Sequence, residues 1–263
     1  MYLTLFFCFF LEGCSPKAHL EEVQTLGKKC GFESEKIQTH FYDLMMFIKL
    51  GDPHLIHIYL EGDGFAWFNK YEMAEDPTPD DPMGFRVACE DTSNATLIFL
   101  TRPCHYGLKR SCSYQDWTFE RFSQKILNAY REVLDLLKTR YPHAVFHLYG
   151  YSGGAFLALL LGEKEPDITK ITTFAGNLDH KVWTRFQGYT PLTGSLDIED
   201  FEALSKIEQI HYIGENDLEI PVDVYQSYQN HFQKETHNLK FIFVKNFEHT
   251  SDWPLFWNEQ QTY

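Results

Sequence analysis

A chain of 263 residues, 44% hydrophobic and 16% aromatic, has enough apolar material for one large α/β domain or two small ones. The formal net charge is −14, from 23 basic against 37 acidic residues, and no basic run occurs. That balance argues against nucleic acid and against anionic membrane surfaces as partners. The acidity is spread along the chain and says little about a substrate.

Residues 1–14 carry an apolar run of about ten residues, too short to span a bilayer. It fits the apolar part of an export signal. The tetrapeptide Leu11-Glu12-Gly13-Cys14 resembles a bacterial lipobox, which implies lipidation of Cys14 and a periplasmic or outer-membrane lipoprotein. Two features depart from the pattern: no Lys or Arg precedes the run, and Glu12 stands where a small neutral residue is usual. The alternative is a buried N-terminal strand in a cytoplasmic protein. Residues 15–36 are polar and read as an exposed helix or linker, and residues 37–263 as a single domain.

Residues 37–49 alternate and are rich in aromatics, as one or two strands would be. Residues 55–60, Leu-Ile-His-Ile-Tyr-Leu, form a strand that runs straight into Glu61-Gly62-Asp63-Gly64. A glycine-rich loop after a buried strand lets backbone N–H groups face a ligand. Residues 65–84 follow as a proline-stiffened loop beside it. Residues 95–100 are another apolar strand, ending at Thr101-Arg102-Pro103-Cys104. Cys104 and Cys112 flank a Tyr-Gly turn and a basic pair. They either close a short loop as a disulfide in an oxidising compartment or stay as two free thiols. The absence of C-x-x-C argues against a zinc ribbon.

Asp116 can cap the next helix. In it Phe122, Ile126, Ala129, Val133 and Leu137 recur at helical spacing, with Arg121, Lys125, Arg131 and Lys138 turned outward. Residues 145–149 read as a buried strand and residues 155–161 as a buried helix. Between them lies Gly150-Tyr151-Ser152-Gly153-Gly154, the pattern G-x-S-x-G. A chain that turns from strand to helix over one residue leaves no room beside it. Flanking glycines relieve the clash, and the serine hydroxyl points out of the turn. The N–H groups that follow open a helix whose positive end favours developing negative charge.

Residues 167–175 are the next strand. Residues 178–205 hold Trp183, Phe186, Tyr189 and Leu192 without clear periodicity and read as a lid or substrate wall. Residues 208–213 form a strand ending in Gly214-Glu215-Asn216-Asp217, and a helix follows Pro221. Residues 239–244 are the last strand, followed by Asn246-Phe247-Glu248-His249, and a short aromatic helix closes the chain. This alternation specifies an α/β fold: a mostly parallel sheet with helices on both faces.

Ligands of such sheets gather at the C-terminal ends of the strands. Four of those ends carry unusual polar residues: the Gly62-Asp63-Gly64 loop, Ser152, Asp217 and His249. A serine hydroxyl needs a base to take its proton, and that histidine needs an acid to fix its tautomer. The order Ser, Asp, His, with the G-x-S-x-G turn, resembles the α/β-hydrolase superfamily over roughly residues 37–260. The resemblance implies Ser152 as nucleophile, Asp217 as acid and His249 as base. It implies oxyanion donors from the backbone of Gly153 and of Asp63, with Gly64 next, and Gly150 and Gly154 as the glycines of the turn. Many members begin the donor loop with His-Gly, whereas this chain has Glu61-Gly62. The Glu-Gly-Asp-Gly loop, Arg102-Pro103-Cys104 and the lipobox-like start are also similar to bacterial lipoprotein-type hydrolases of unassigned substrate.

The rivals are Asp197 and Asp223 for the acid. Asp179-His180 is a weak metal pair, so no metal and no cofactor enters the reading. The function implied is cleavage of an ester, thioester or amide of a small acyl substrate through an acyl-serine. The alternatives are acyl transfer by the same residues and a non-catalytic ligand-binding protein on the same fold.

Overall fold

The computed structural model describes residues 16–69, 71–232 and 238–261, so the lipobox-like segment and Cys14 lie outside it. The elements run α1 (Pro16–Lys29), β1 (Glu33–Gln38), β2 (Asp43–Lys49), β3 (Asp52–Leu60), β4 (Trp67–Asn69), β5 (Glu72–Met73), α2 (Met83–Cys89) and β6 (Ala95–Leu100). There follow α3 (Tyr114–Trp117), α4 (Gln124–Arg140), β7 (Val145–Tyr151), α5 (Gly153–Gly162), β8 (Ile168–Phe174), α6 (His180–Gln187), α7 (Phe201–Ser205), β9 (Glu208–Gly214), α8 (Val222–Gln229), β10 (Leu239–Val244) and α9 (Trp253–Gln260).

Eight strands form one sheet in the order β1-β2-β6-β3-β7-β8-β9-β10. The pairs β1–β2 and β2–β6 are antiparallel, and every other pair is parallel. Alternation along β3 explains the two-sided core: Ile56, Ile58 and Leu60 face the cluster built with α4 and α5, while Tyr59 faces the one built with α1, α2 and α9. The expected architecture, a mostly parallel sheet covered on both faces, is therefore what the chain adopts. The central strands β3, β6 and β7 have neighbours on both sides, which is why they read as nearly unbroken apolar runs.

α5 is buried at all ten positions, so its sequence, Gly-Gly-Ala-Phe-Leu-Ala-Leu-Leu-Leu-Gly, has no polar face to present. The N-terminal segment read as an exposed helix or linker forms α1. Its Val23 is buried, and Gly27 lies so close to Phe47 and Phe85 that a Cβ there would meet the Phe47 ring at 2.9 Å. Cys30, just past α1, is joined to Cys89 at the end of α2. This second disulfide was not foreseen, since its partners are 59 residues apart. The Cys104–Cys112 bridge is formed.

Other segments depart from the sequence reading. The helix expected to start at a cap on Asp116 is two helices, α3 and α4. Asp116 sits inside α3, where it accepts from the Ser113 N–H at 2.7 Å and from the Tyr42 hydroxyl at 2.6 Å. Arg121, expected to face solvent with the other basic residues, lies between α3 and α4 and is buried. The loop at 65–84 carries the small β4–β5 hairpin and leads into α2, too short for its periodicity to be read. Residues 178–205 contain α6, where the Asp179 carboxylate accepts from the N–H groups of Lys181 and Val182, both at 3.0 Å. Two helical turns are again too few to show a period.

Candidate active site

Parallel strands β3, β7, β8 and β9 end on the same side of the sheet, and their loops enclose a cleft of about 940 Å³. Ser152 lies at the turn between β7 and α5. Its φ of 50° and ψ of −120° are outside the regions open to most residues, and neighbouring contacts hold it there. The Ser152 N–H donates to the Phe174 carbonyl at 3.1 Å, and its carbonyl accepts from Ala155 and Asn177. The flanking glycines leave no alternative. A Cβ on Gly150 would stand 2.6 Å from the Ala155 backbone, and one on Gly154 2.4 Å from the Leu60 carbonyl oxygen.

His249 follows β10, and its Nε2 lies 3.1 Å from the Ser152 hydroxyl oxygen. Its Nδ1 lies 2.9 Å from Asp217 Oδ2. With the ring proton on Nδ1, the imidazole donates to Asp217 and accepts from Ser152. The Asp217 side chain is wholly buried, and its other oxygen accepts from the Glu219 and Ile220 N–H groups, each at 2.9 Å. The two loops are tied directly, because the Asn216 N–H donates to the Phe247 carbonyl at 2.8 Å. Gly214 permits this approach: a Cβ there would be 2.5 Å from that same carbonyl oxygen. The His249 carbonyl accepts from Trp253 Nε1 at 2.9 Å and from the Tyr151 hydroxyl at 3.2 Å. Ser152, Asp217 and His249, distant along the chain, are thus brought together in one hydrogen-bonded line.

The rival acids lie elsewhere. Asp197 is ion-paired with Lys181 at 2.6 Å on the surface, and Asp223 is exposed on α8. Asp179 caps α6, and His180 Nε2 donates to the Leu196 carbonyl at 3.0 Å, so both are engaged within the fold. No group of three or more metal-ligating side chains occurs among the described residues. His57 has Asp91 at 2.6 Å and Ser93 at 3.5 Å, but both approach the same Nδ1. A relay needs acid and hydroxyl on opposite ring nitrogens, so this buried cluster ties β3 to the loop before β6 instead.

Beside Ser152, the loop Glu61-Gly62-Asp63-Gly64 lines the cleft. Gly153 opens α5, whose first N–H groups have no partner within the helix. The Asp63 carboxylate packs against Gly153, where a Cβ would stand 2.2 Å from Oδ1. Arg121 Nη1 donates to Asp63 Oδ2 at 2.7 Å, and Arg102 Nη2 lies 3.3 Å from Oδ1. Burial alone would raise the Asp63 carboxyl, but the two guanidiniums outweigh it and hold it below the usual carboxylate range. Arg102 in turn donates to the Arg121 carbonyl at 2.9 Å. Burial and Arg102 lower His105 to about 3, so its neutral ring hydrogen-bonds the Asp63 backbone and fills the space beside Gly64.

Glu61 is buried, and its Oε1 accepts from the N–H groups of Gly62 at 2.9 Å and Gly84 at 3.1 Å. Burial pushes its carboxyl up to about 7 against those hydrogen bonds. Sequence reasoning missed Arg102, Arg121, Asn177, Glu219 and Trp253 as parts of this site. The only signal for the last was its position four residues after His249, and for Asn177 its place just past a strand end.

No family profile matches the chain, and no curated protein sequence matches it. Solved structures do resemble it. An esterase of Pyrococcus furiosus is 14% identical with a TM-score of 0.62, covering 89% of this chain and 90% of that one. Est1E of Butyrivibrio proteoclasticus is 12% identical with a TM-score of 0.59, covering 87% and 97%. An alpha-beta serine hydrolase homologue from Coxiella burnetii is 13% identical with a TM-score of 0.56, covering 87% and 94%. At these identities the likeness is one of fold.

Proposed function

We propose that this chain, which has the α/β-hydrolase fold, is a serine hydrolase that cleaves an ester, thioester or amide through an acyl-serine intermediate. The observation that carries this reading is the unbroken line from the buried Asp217 carboxylate through His249 to the Ser152 hydroxyl. In the first step His249 Nε2 takes the hydroxyl proton as Ser152 Oγ attacks the substrate carbonyl. Asp217 holds the ring with Nε2 toward the serine and stabilises the imidazolium that forms. The carbonyl oxygen becomes an oxyanion, which the N–H groups of Gly153 and Asp63, or Gly64, receive at the positive end of α5. His249 then gives its proton to the departing group. Water, deprotonated by the same nitrogen, releases the acyl group and regenerates Ser152.

The names of the similar structures, an esterase and a serine hydrolase homologue, favour the same class. A carboxylesterase is the form that the cleft suits best, because Trp67, Phe119, Trp183 and Leu192 line it with apolar surface. The two disulfides support a chain that works in an oxidising compartment, in keeping with export.

The test is hydrolysis of p-nitrophenyl esters of increasing acyl length by the wild type and by Ser152→Ala and His249→Ala. Each variant loses on the order of 10⁴-fold or more in kcat while its circular dichroism stays that of the wild type. Undiminished turnover in Ser152→Ala contradicts the assignment.

A further inference from the structure

The cleft walls carry an imbalance of charge. Among the acidic side chains that line it, Asp63 is paired with two guanidiniums, Asp81 with Arg86 at 2.7 Å, and Glu61 with backbone N–H groups. The exposed Asp80 has His19 at 3.7 Å. Glu219 differs: its carboxylate has no hydrogen bond or ion pair with another described residue. Its backbone is pinned on both sides, the N–H to Asp217 Oδ1 and the carbonyl to Trp183 Nε1 at 3.0 Å and Gln187 Nε2 at 2.8 Å. The side chain is only half-buried, and burial raises its carboxyl, with His249 pulling the other way.

Two further observations point to what the cleft accepts. Two buried polar atoms of its lining, Glu61 Oε2 and Asn177 Oδ1, lack a hydrogen-bond partner, and both are oxygens. Glu61 and Asn177 are 1% and 2% exposed. Beside Glu219, Trp183 and Tyr189 meet edge to face with centroids 5.3 Å apart, and both line the cleft. The Arg121 guanidinium already lies over the Trp183 ring, 6.0 Å from its centroid, but the Tyr189 ring is exposed. A carboxylate without a hydrogen-bond or ion-pair partner beside it attracts an organic cation, through charge and through that ring's quadrupole.

We propose that Glu219 is a specificity-determining residue, and that the cleft selects esters whose alcohol portion carries an organic ammonium group. This rests on the serine-hydrolase reading above. The alcohol half is assigned because His249 hands its proton to the departing oxygen, so the wall beside His249 meets the leaving group. The reaction itself is unchanged: the ester C–O bond breaks, water supplies the hydroxyl of the released acid, and the ammonium alcohol leaves with the proton from His249.

The experiment compares choline butyrate with its uncharged isostere, 3,3-dimethylbutyl butyrate, by titrating the acid released. Each kcat/KM is divided by the rate of the same ester with hydroxide, which removes intrinsic reactivity. The wild type prefers the cationic ester by about tenfold at low salt, and the preference shrinks at high salt. In Glu219→Gln the ratio falls to within about twofold of unity, through a rise in KM for the cationic ester, and Glu219→Asp recovers part of it. Equal use of the two esters by the wild type, or a ratio unchanged in Glu219→Gln, overturns the proposal while leaving the hydrolase reading intact. Cleavage of the p-nitrophenyl esters but of neither butyrate ester overturns the proposal alone, and failure to cleave any of these esters overturns both.

Discussion

Glu61 gives a prediction whose sign and size both follow from its place in the fold. Its carboxyl is buried directly under the loop that faces Ser152, and its folded value of about 7 stands above the ordinary 4.5. The folded state therefore holds this proton more tightly than the unfolded chain does. The associated stability is fully present below about pH 4.5 and is lost as the pH rises through about 7. The whole gap corresponds to about 3 kcal/mol, of which about 2 kcal/mol is lost between roughly pH 5 and pH 8.5. Glu61→Gln keeps an oxygen to accept from the Gly62 and Gly84 N–H groups but has no proton to lose. Its amide nitrogen replaces Oε2, which has no partner, and that changes stability by an amount that does not vary with pH. The difference in stability between variant and wild type should thus move by about 2 kcal/mol in the variant's favour across that range. At a urea slope of about 2 kcal/mol per molar, this is a relative midpoint shift of roughly 1 M. Urea titrations of both proteins at several pH values measure it. Parallel curves would refute the argument that burial dominates at Glu61.

Gly154→Ala places a Cβ 2.4 Å from the Leu60 carbonyl and forces α5 away from β3. It should cost about 1–3 kcal/mol and, by displacing Ser152 from the Asp63 loop, on the order of 10²-fold in kcat. Gly188→Ala, in open space but at a φ of 67°, should cost about 1 kcal/mol and leave ester hydrolysis near wild type. Asp63→Asn leaves the buried Arg102 and Arg121 without their counter-ion and should cost about 3–5 kcal/mol by chemical denaturation, whereas a surface-like loss under 1 kcal/mol would contradict the ion cluster. Replacing Cys30 and Cys89 by serine opens a link across 59 residues and should cost about 4 kcal/mol, against about 2–3 kcal/mol for Cys104 and Cys112 at a separation of 8. Equal denaturation midpoints for the two double variants would contradict that ordering.

The parts of this site that could be read from the sequence share one property: their chemistry is written locally. Gly150 to Gly154 states a turn with no room for side chains, and Leu55 to Leu60 states a buried strand before a glycine loop. Asp217 and His249 each stand just past a strand, so alternation of strands and helices was enough to predict their meeting at one edge. What stayed hidden depends on pairs far apart along the chain. Arg121 looked like one more outward base on a helix, because nothing near it in sequence announces Asp63, 58 residues earlier. Asp116 looked like a cap, because its partner Tyr42 lies 74 residues away. Cys30 and Cys89 carry no spacing signal, and α2 and α6 are too short for a period to show. Glu219 could not be singled out among 37 acidic residues until its lack of a partner was visible in the folded chain.

The central claim is that Ser152, activated by His249, attacks the substrate carbonyl. Its most direct measurement is the mass of the protein and of its peptides after exposure to a fluorophosphonate, a reagent that captures activated serine hydroxyls. One adduct per chain, on the peptide holding Ser152, is the predicted result, with none in Ser152→Ala and a much slower reaction in His249→Ala. An adduct on another residue, or the same labelling rate without His249, would contradict the account.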